Sequence, residues 1–145
     1  MFYSNLFKGA AVLAMILGLT ACGGVKTDEV VLEDCVKISE QRFNFFITEE
    51  IDDGETECNM QCRVLVETLQ DLDWRASIKM KLCDEVGAEL IYLKCSDIPE
   101  EKGEKKWVDF GLTYGNSDKS KSALENILKQ TKSVKFVGED LIKKD

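Results

Sequence analysis

Residues Gly9–Leu19 form an apolar run of 11 residues. One positive charge, Lys8, precedes it, and the small residues Thr20 and Ala21 and then Cys22 follow it. This run decides which residues are left to fold together. A charged front, an apolar middle of about 7–15 residues and a small-residue end form the layout of a secretory signal. A membrane-spanning helix needs about 20 apolar residues. The run is too short for that and holds two glycines, and the polar, acidic VKTDEVVLED that follows is no stop-transfer pattern. The expectation is an export signal over residues 1–21 and a domain built from the remainder.

Leu19-Thr20-Ala21-Cys22 resembles the lipobox of bacterial lipoproteins: aliphatic, small or hydroxyl-bearing, small, cysteine. The resemblance covers about the first 22 residues and concerns processing, not the fold of the rest. It implies that Leu19, Thr20 and Ala21 present the cleavage site, that the Cys22 thiol carries diacylglycerol, and that cleavage occurs just before it. Two or three acyl chains would hold the protein on a bilayer, since one alone is marginal. It further implies a cell-envelope address facing the periplasm. Gly23, where an aspartate would retain the protein in the inner membrane, favours the outer membrane. The expected organisation is a signal peptide at 1–21, lipidated Cys22 with a short tether at 22–29, and one periplasmic domain at 30–145.

Composition excludes several kinds of chemistry. With 19 basic and 27 acidic residues the net charge is −8, and −9 (18 against 27) once the segment carrying Lys8 is removed. Nucleic acid and anionic lipid are repelled on average, so no nucleic-acid partner is expected. There is no histidine, which removes the usual general base, pH switch and metal ligand and rules out Ser-His-Asp and Cys-His catalysis. Phosphate-binding loops are missing, and carboxylates are too many to single out a catalytic pair. The chain reads as a non-enzyme with no cofactor.

Setting Cys22 aside leaves Cys35, Cys58, Cys62, Cys83 and Cys95. In an oxidising compartment disulfides are expected, and an odd count gives two bridges and one leftover thiol, available to link two chains into a homodimer. Zinc is disfavoured, because Cys58-x-x-x-Cys62 is wider than a zinc knuckle and no histidine can join it.

Along the chain, VVLEDCVKIS and QRFNFFITEEI read as β segments, with Asp53-Gly54 a turn. Cys58, Cys62, Leu65, Val66, Leu69 and Leu72 recur at intervals of three and four, the stripe of an amphipathic helix. Residues 75–95 allow two readings. One is a helix along Ile78, Leu82 and Val86 that stops at Gly87 before a strand, which is preferred. The other is a hairpin of SIKMKLC with ELIYLKC. PEEKGEKK is a charged loop, KWVDFGLTYG a strand, NSDKSKSALENILKQTK a helix capped by serines or Asp118, and SVKFVGEDL a last strand. The expected fold class is α+β: a small, mostly antiparallel sheet with two or three helices on one face, stabilised by disulfides.

These features point to a membrane-anchored periplasmic lipoprotein that binds another envelope protein. Two alternatives stand beside it: a surface-exclusion lipoprotein of a conjugative element, and an inhibitor of a basic lytic enzyme such as lysozyme. For the inhibitor, the contact would be the acidic run Glu49, Glu50, Asp52, Asp53, Glu55 and Glu57. Trp74 and Trp107 are assigned to core or rim packing.

Overall fold

A computed structural model of the chain describes residues 25–52, 54–112 and 119–143. In chain order the strands are β1 (Lys26–Thr27), β2 (Val30–Leu32), β3 (Val36–Ile38), β4 (Gln41–Arg42), β5 (Phe45–Asp52), β6 (Glu55–Thr68), β7 (Ser77–Cys83), β8 (Glu89–Cys95), β9 (Lys105–Gly111) and β10 (Ser133–Glu139), with α1 (Lys121–Gln130) before the last. Lys26 and Thr27, assigned to the tether from sequence, pair with Arg42 and Gln41.

The main sheet runs β10-β7-β8-β9-β6-β3-β2, with β5 on β6, and every ladder is antiparallel. Its two ends, β10 and β2, pack together, so the sheet nearly closes into a barrel. This overturns the α+β expectation: the protein is mostly β, with one helix among the described residues.

Two segments account for the difference. The expected helix from Cys58 is the 14-residue strand β6. Cys58, Met60, Cys62, Val64, Val66 and Thr68 are all buried while the residues between them are not, the period of two that a strand with one face inside demands. The three-and-four stripe misled because Leu65 and Leu69 are apolar yet only half-buried. The second segment is the hairpin of β7 and β8. Ile78, Met80 and Leu82 face inward, whereas Val86, the third member of the expected helical stripe, is 87% exposed. Asp84 builds the turn by accepting the N–H groups of Val86 at 3.0 Å and Ala88 at 2.9 Å. Gly87 there has φ +84°, a left-handed conformation that glycine adopts without strain.

Side chains fill the barrel. Phe136 packs on Phe43 at 5.7 Å and on Phe110 at 5.9 Å between ring centroids, and Phe43 and Phe110 are fully buried. The expected C-terminal helix does form, with Ser120 as its cap: the Ser120 hydroxyl accepts the Ala123 N–H at 3.2 Å. Its Leu124 is buried in the core, and the helix packs on β5.

The disulfide expectation is also corrected. Among the described residues no two cysteines lie at disulfide distance, and Cys35, Cys58, Cys62, Cys83 and Cys95 are all buried thiols. The register explains why. Cys58 lies opposite Glu49, Cys62 opposite Phe45 and Phe110, Cys83 opposite Glu89 and Ser133, and Cys95 opposite Ile78. Cys58 and Cys62 are four residues apart on one strand, about 13 Å at the usual rise, beyond the ~7 Å that a disulfide tolerates.

Candidate functional site

The acidic run becomes a β-hairpin. β5 and β6 pair with Glu50 opposite Glu57 and Asp52 opposite Glu55, around a turn in which Gly54 has φ +79°. Opposite residues of an antiparallel pair share a face, so Glu50, Glu57 and Glu55 stand on one face at the Asp52 register. Glu49, one residue out of phase, falls on the other face, where the Cys58 thiol lies 3.9 Å from its Oε2. Asp53 lies outside the described residues, as do Leu19, Thr20, Ala21 and Cys22.

The ladder of β6 with β9 begins only at Gln61. Residues 55–60 therefore form, with β5, an arm beyond it. The base of the arm's inner face is covered, with Cys58 and Met60 buried and Lys121 at the start of α1 against Cys58, while Ile51 and Thr56 near its tip are exposed. The outer face carries the acids and continues down β6. Phe46 lies opposite Gln61, Arg63 opposite Asp109, and Leu65 opposite Trp107. Phe46 is 50% exposed and Trp107 53%. Arg63 and Asp109 pair at 3.2 Å in solvent, a contact of little energetic weight.

The like-charged pair Glu50–Glu57, directly across the ladder, destabilises a hairpin by about 0.2–1 kcal/mol. A sequence under pressure for stability alone would alternate the signs. The sequence shows the acids but not their partition, because one residue of register decides which face each occupies. Of the two tryptophans expected to pack in the core or at its rim, neither is in the core: Trp107 is 53% exposed opposite Leu65, and Trp74 is 76% exposed, with the Arg75 guanidinium 5.7 Å from its ring centroid.

The opposite side of the barrel holds a feature that sequence reading missed. Lys79 and Lys81 on β7, Lys94 on β8 and Lys135 on β10 share its outer face, with Lys79 directly opposite Lys94 and Lys81 directly opposite Lys135. Glu139 reaches both Lys79 and Lys94 at 3.4 Å, and Glu89 reaches Lys81 at 3.5 Å. Burial pushes the Glu139 carboxyl up, but hydrogen bonds from Lys94 and Lys79 and their charges outweigh it, and the net displacement is downward. The alternation K-M-K in SIKMKLC is the sequence signature of this face. It is legible only if the segment is read as a strand.

The thiols are protected. Burial raises the pKa of Cys35, Cys58 and Cys95; nearby Glu33 and Asp34 add to it at Cys35 and Glu49 at Cys58. They stay protonated near neutrality and poorly nucleophilic. Among the described residues no three Cys, Asp or Glu side chains converge as a metal site, and no helix is long and apolar enough to cross a membrane. The depression bounded by Asp71, Leu72, Glu100, Glu101, Lys102 and Lys143 is open and polar, unlike the concave, mostly apolar sites that hold small molecules.

No protein-family model, characterised protein or solved structure matches this chain.

Proposed function

We propose that this chain is a lipid-anchored envelope lipoprotein, facing the periplasm and held at the outer membrane, that binds a basic protein partner without catalysis. The docking surface is the outer face of β5, β6 and β9. The observation that carries the reading is the in-register acidic face, Glu50, Glu55 and Glu57, continuous with exposed Phe46 and Trp107. Carboxylates steer a cationic partner, and exposed aromatics supply the anchors from which interface affinity arises. The five thiols are compatible with an oxidising compartment because all are buried out of reach, and at Cys35, Cys58 and Cys95 burial also favours the protonated form. The inhibitor version of this reading has the specific support of the acidic arm, whose charge complements a basic lytic enzyme.

Lysozyme serves as the basic probe. The full chain should bind it with a salt-sensitive affinity and slow its lytic activity. Glu50→Gln, Glu55→Gln and Glu57→Gln together should abolish both effects, and Trp107→Ala should weaken binding by about tenfold, the loss of one interface anchor. Absence of binding, or unchanged binding by the triple variant, overturns the docking surface. For the anchor, Cys22→Ser should remove the processed, membrane-bound form. A processed variant that still sediments with membranes rejects lipidation.

A further inference from the structure

The lysine face lies on the far side of the barrel from the acidic arm. β7 is separated from β6 by β8 and β9 in one direction and by β10, β2 and β3 in the other. In a chain of net charge −8, Lys79, Lys81, Lys94 and Lys135 are gathered on one outer face against two carboxylates, Glu89 and Glu139. Both lysine pairs sit directly across a ladder; Glu139 bridges Lys79 and Lys94 and Glu89 holds Lys81, which leaves the face with two positive charges in excess. Half-buried Tyr92 and Val137, which is 39% exposed, lie among them. The Lys79 ammonium stands 4.6 Å from the Tyr92 ring centroid.

The chain enters the fold beside this face. The Val25 carbonyl accepts the Phe43 N–H at 2.8 Å, and β1 packs against β10, the strand that carries Lys135. Only Cys22, Gly23 and Gly24 separate a lipid on Cys22 from Val25. Three residues span at most about 10 Å, which matches the distance of ~8–10 Å over which surface charge is felt at physiological salt.

We infer that the outer face of β7, β8 and β10 lies on anionic phospholipid headgroups, so that the acidic arm points away from the bilayer. This rests on the anchoring at Cys22 proposed above. The barrel then has two working sides. The lysines are held by the lipid surface, and the repulsion expected from the net charge is confined to the side that faces the partner. Tyr92 and Val137 fit the polar–apolar boundary of the headgroup layer.

The test is a lysine footprint. The full chain is placed on vesicles of phosphatidylcholine alone, or with about one-third phosphatidylglycerol, and treated with an amine-acylating reagent. Acylation at each lysine is read by mass spectrometry. Lys79, Lys81, Lys94 and Lys135 should be protected several-fold on the anionic vesicles, and high salt should erase the protection. Lys37, Lys102 and Lys143 should not change. Each lysine near an anionic surface gains about fivefold in affinity. With Glu89 and Glu139 neutralising two of the four, Gln at all four sites should cost at least roughly twenty- to thirtyfold in the anionic-specific part of binding, because the net attraction of two charges is lost and two bare carboxylates remain. Equal acylation on both vesicles, or equal protection on both, overturns the inference. Protection by soluble heparin with none on anionic vesicles also overturns it, and assigns the face to an acidic macromolecule. If the chain washes off neutral vesicles the anchoring reading fails, while the footprint on anionic vesicles still decides the lysine face by itself.

Discussion

Val64→Ala and Leu65→Ala, adjacent substitutions in β6, separate a strand from a helix at the centre of the fold. Val64 is fully buried and faces Val108 across the ladder. Leu65 lies opposite Trp107 on the outer face and is half-buried. Removing two methyl groups from Val64 forfeits about 1.6 kcal/mol at ~0.8 kcal/mol each. The closed interior refills the gap poorly, and a cavity of roughly 40 Å³ adds about 1 kcal/mol. The expected cost is therefore about 2.5 kcal/mol. Leu65→Ala vacates only part of a solvent-facing site, and its backbone bonds to the Gln41 side chain at 3.1 and 3.3 Å do not depend on the side chain. Its cost should stay under about 1 kcal/mol. Urea titration should show a lower midpoint with unchanged slope for Val64→Ala and a melting temperature lower by roughly 8–12 °C. An amphipathic helix reverses the order, because Leu65 belongs to its apolar stripe and Val64 does not. A larger loss for Leu65→Ala refutes the strand register.

Four further outcomes follow from the same structure. Without reductant, the folded domain should react slowly with a thiol reagent and show all five of its cysteines, Cys35 to Cys95, on denaturation; fewer would mean bridges. Because burial raises Cys35, Cys58 and Cys95 above the ordinary 9.0, their contribution to stability is complete below that value. It should fall as pH rises through the folded pKa values, which stability curves at alkaline pH will read. A methyl group at Gly138 would lie 2.3 Å from the Leu141 Cδ1, and Leu141 is buried, so Gly138→Ala should destabilise by about 1–3 kcal/mol in chemical denaturation. Glu50→Gln removes one like-charged cross-strand pair and should raise hairpin stability by about 0.2–1 kcal/mol while weakening lysozyme binding; a loss of stability would contradict the register.

Local chemistry carried much of the chain. The turn at Gly54, the strand through KWVDFG, the helix through Leu124 and the last strand are all where their residues place them, because caps, glycines and β-branched residues act within a few positions. The long strand β6 was harder. Its apolar residues satisfy two periods at once, and only burial tells Val64, which counts, from Leu65, which barely does. The β7–β8 hairpin was one of two readings, and closure of the barrel selects it: Ile78, Met80 and Leu82 are needed inside together. The acids at Glu49–Glu57 were visible as a cluster. Their division into an outer face and Glu49 was not, since register is a property of the pair.

What the sequence by itself determined is which side chains are available: no histidine, an acidic balance, and the Leu19–Cys22 pattern on which the proposed anchor rests. These depend on which residues exist and on their order along one stretch. What only the tertiary structure decided is the state of the five cysteines and the separation of charge. A disulfide needs its two residues brought within about 7 Å, and the antiparallel register sets other residues opposite Cys58, Cys62, Cys83 and Cys95, while Cys35 lies in the turn between β2 and β3. The lysines of three strands and the acids of two become opposite faces only when the sheet curls, because each strand alone sends its charges outward without saying which way outward is.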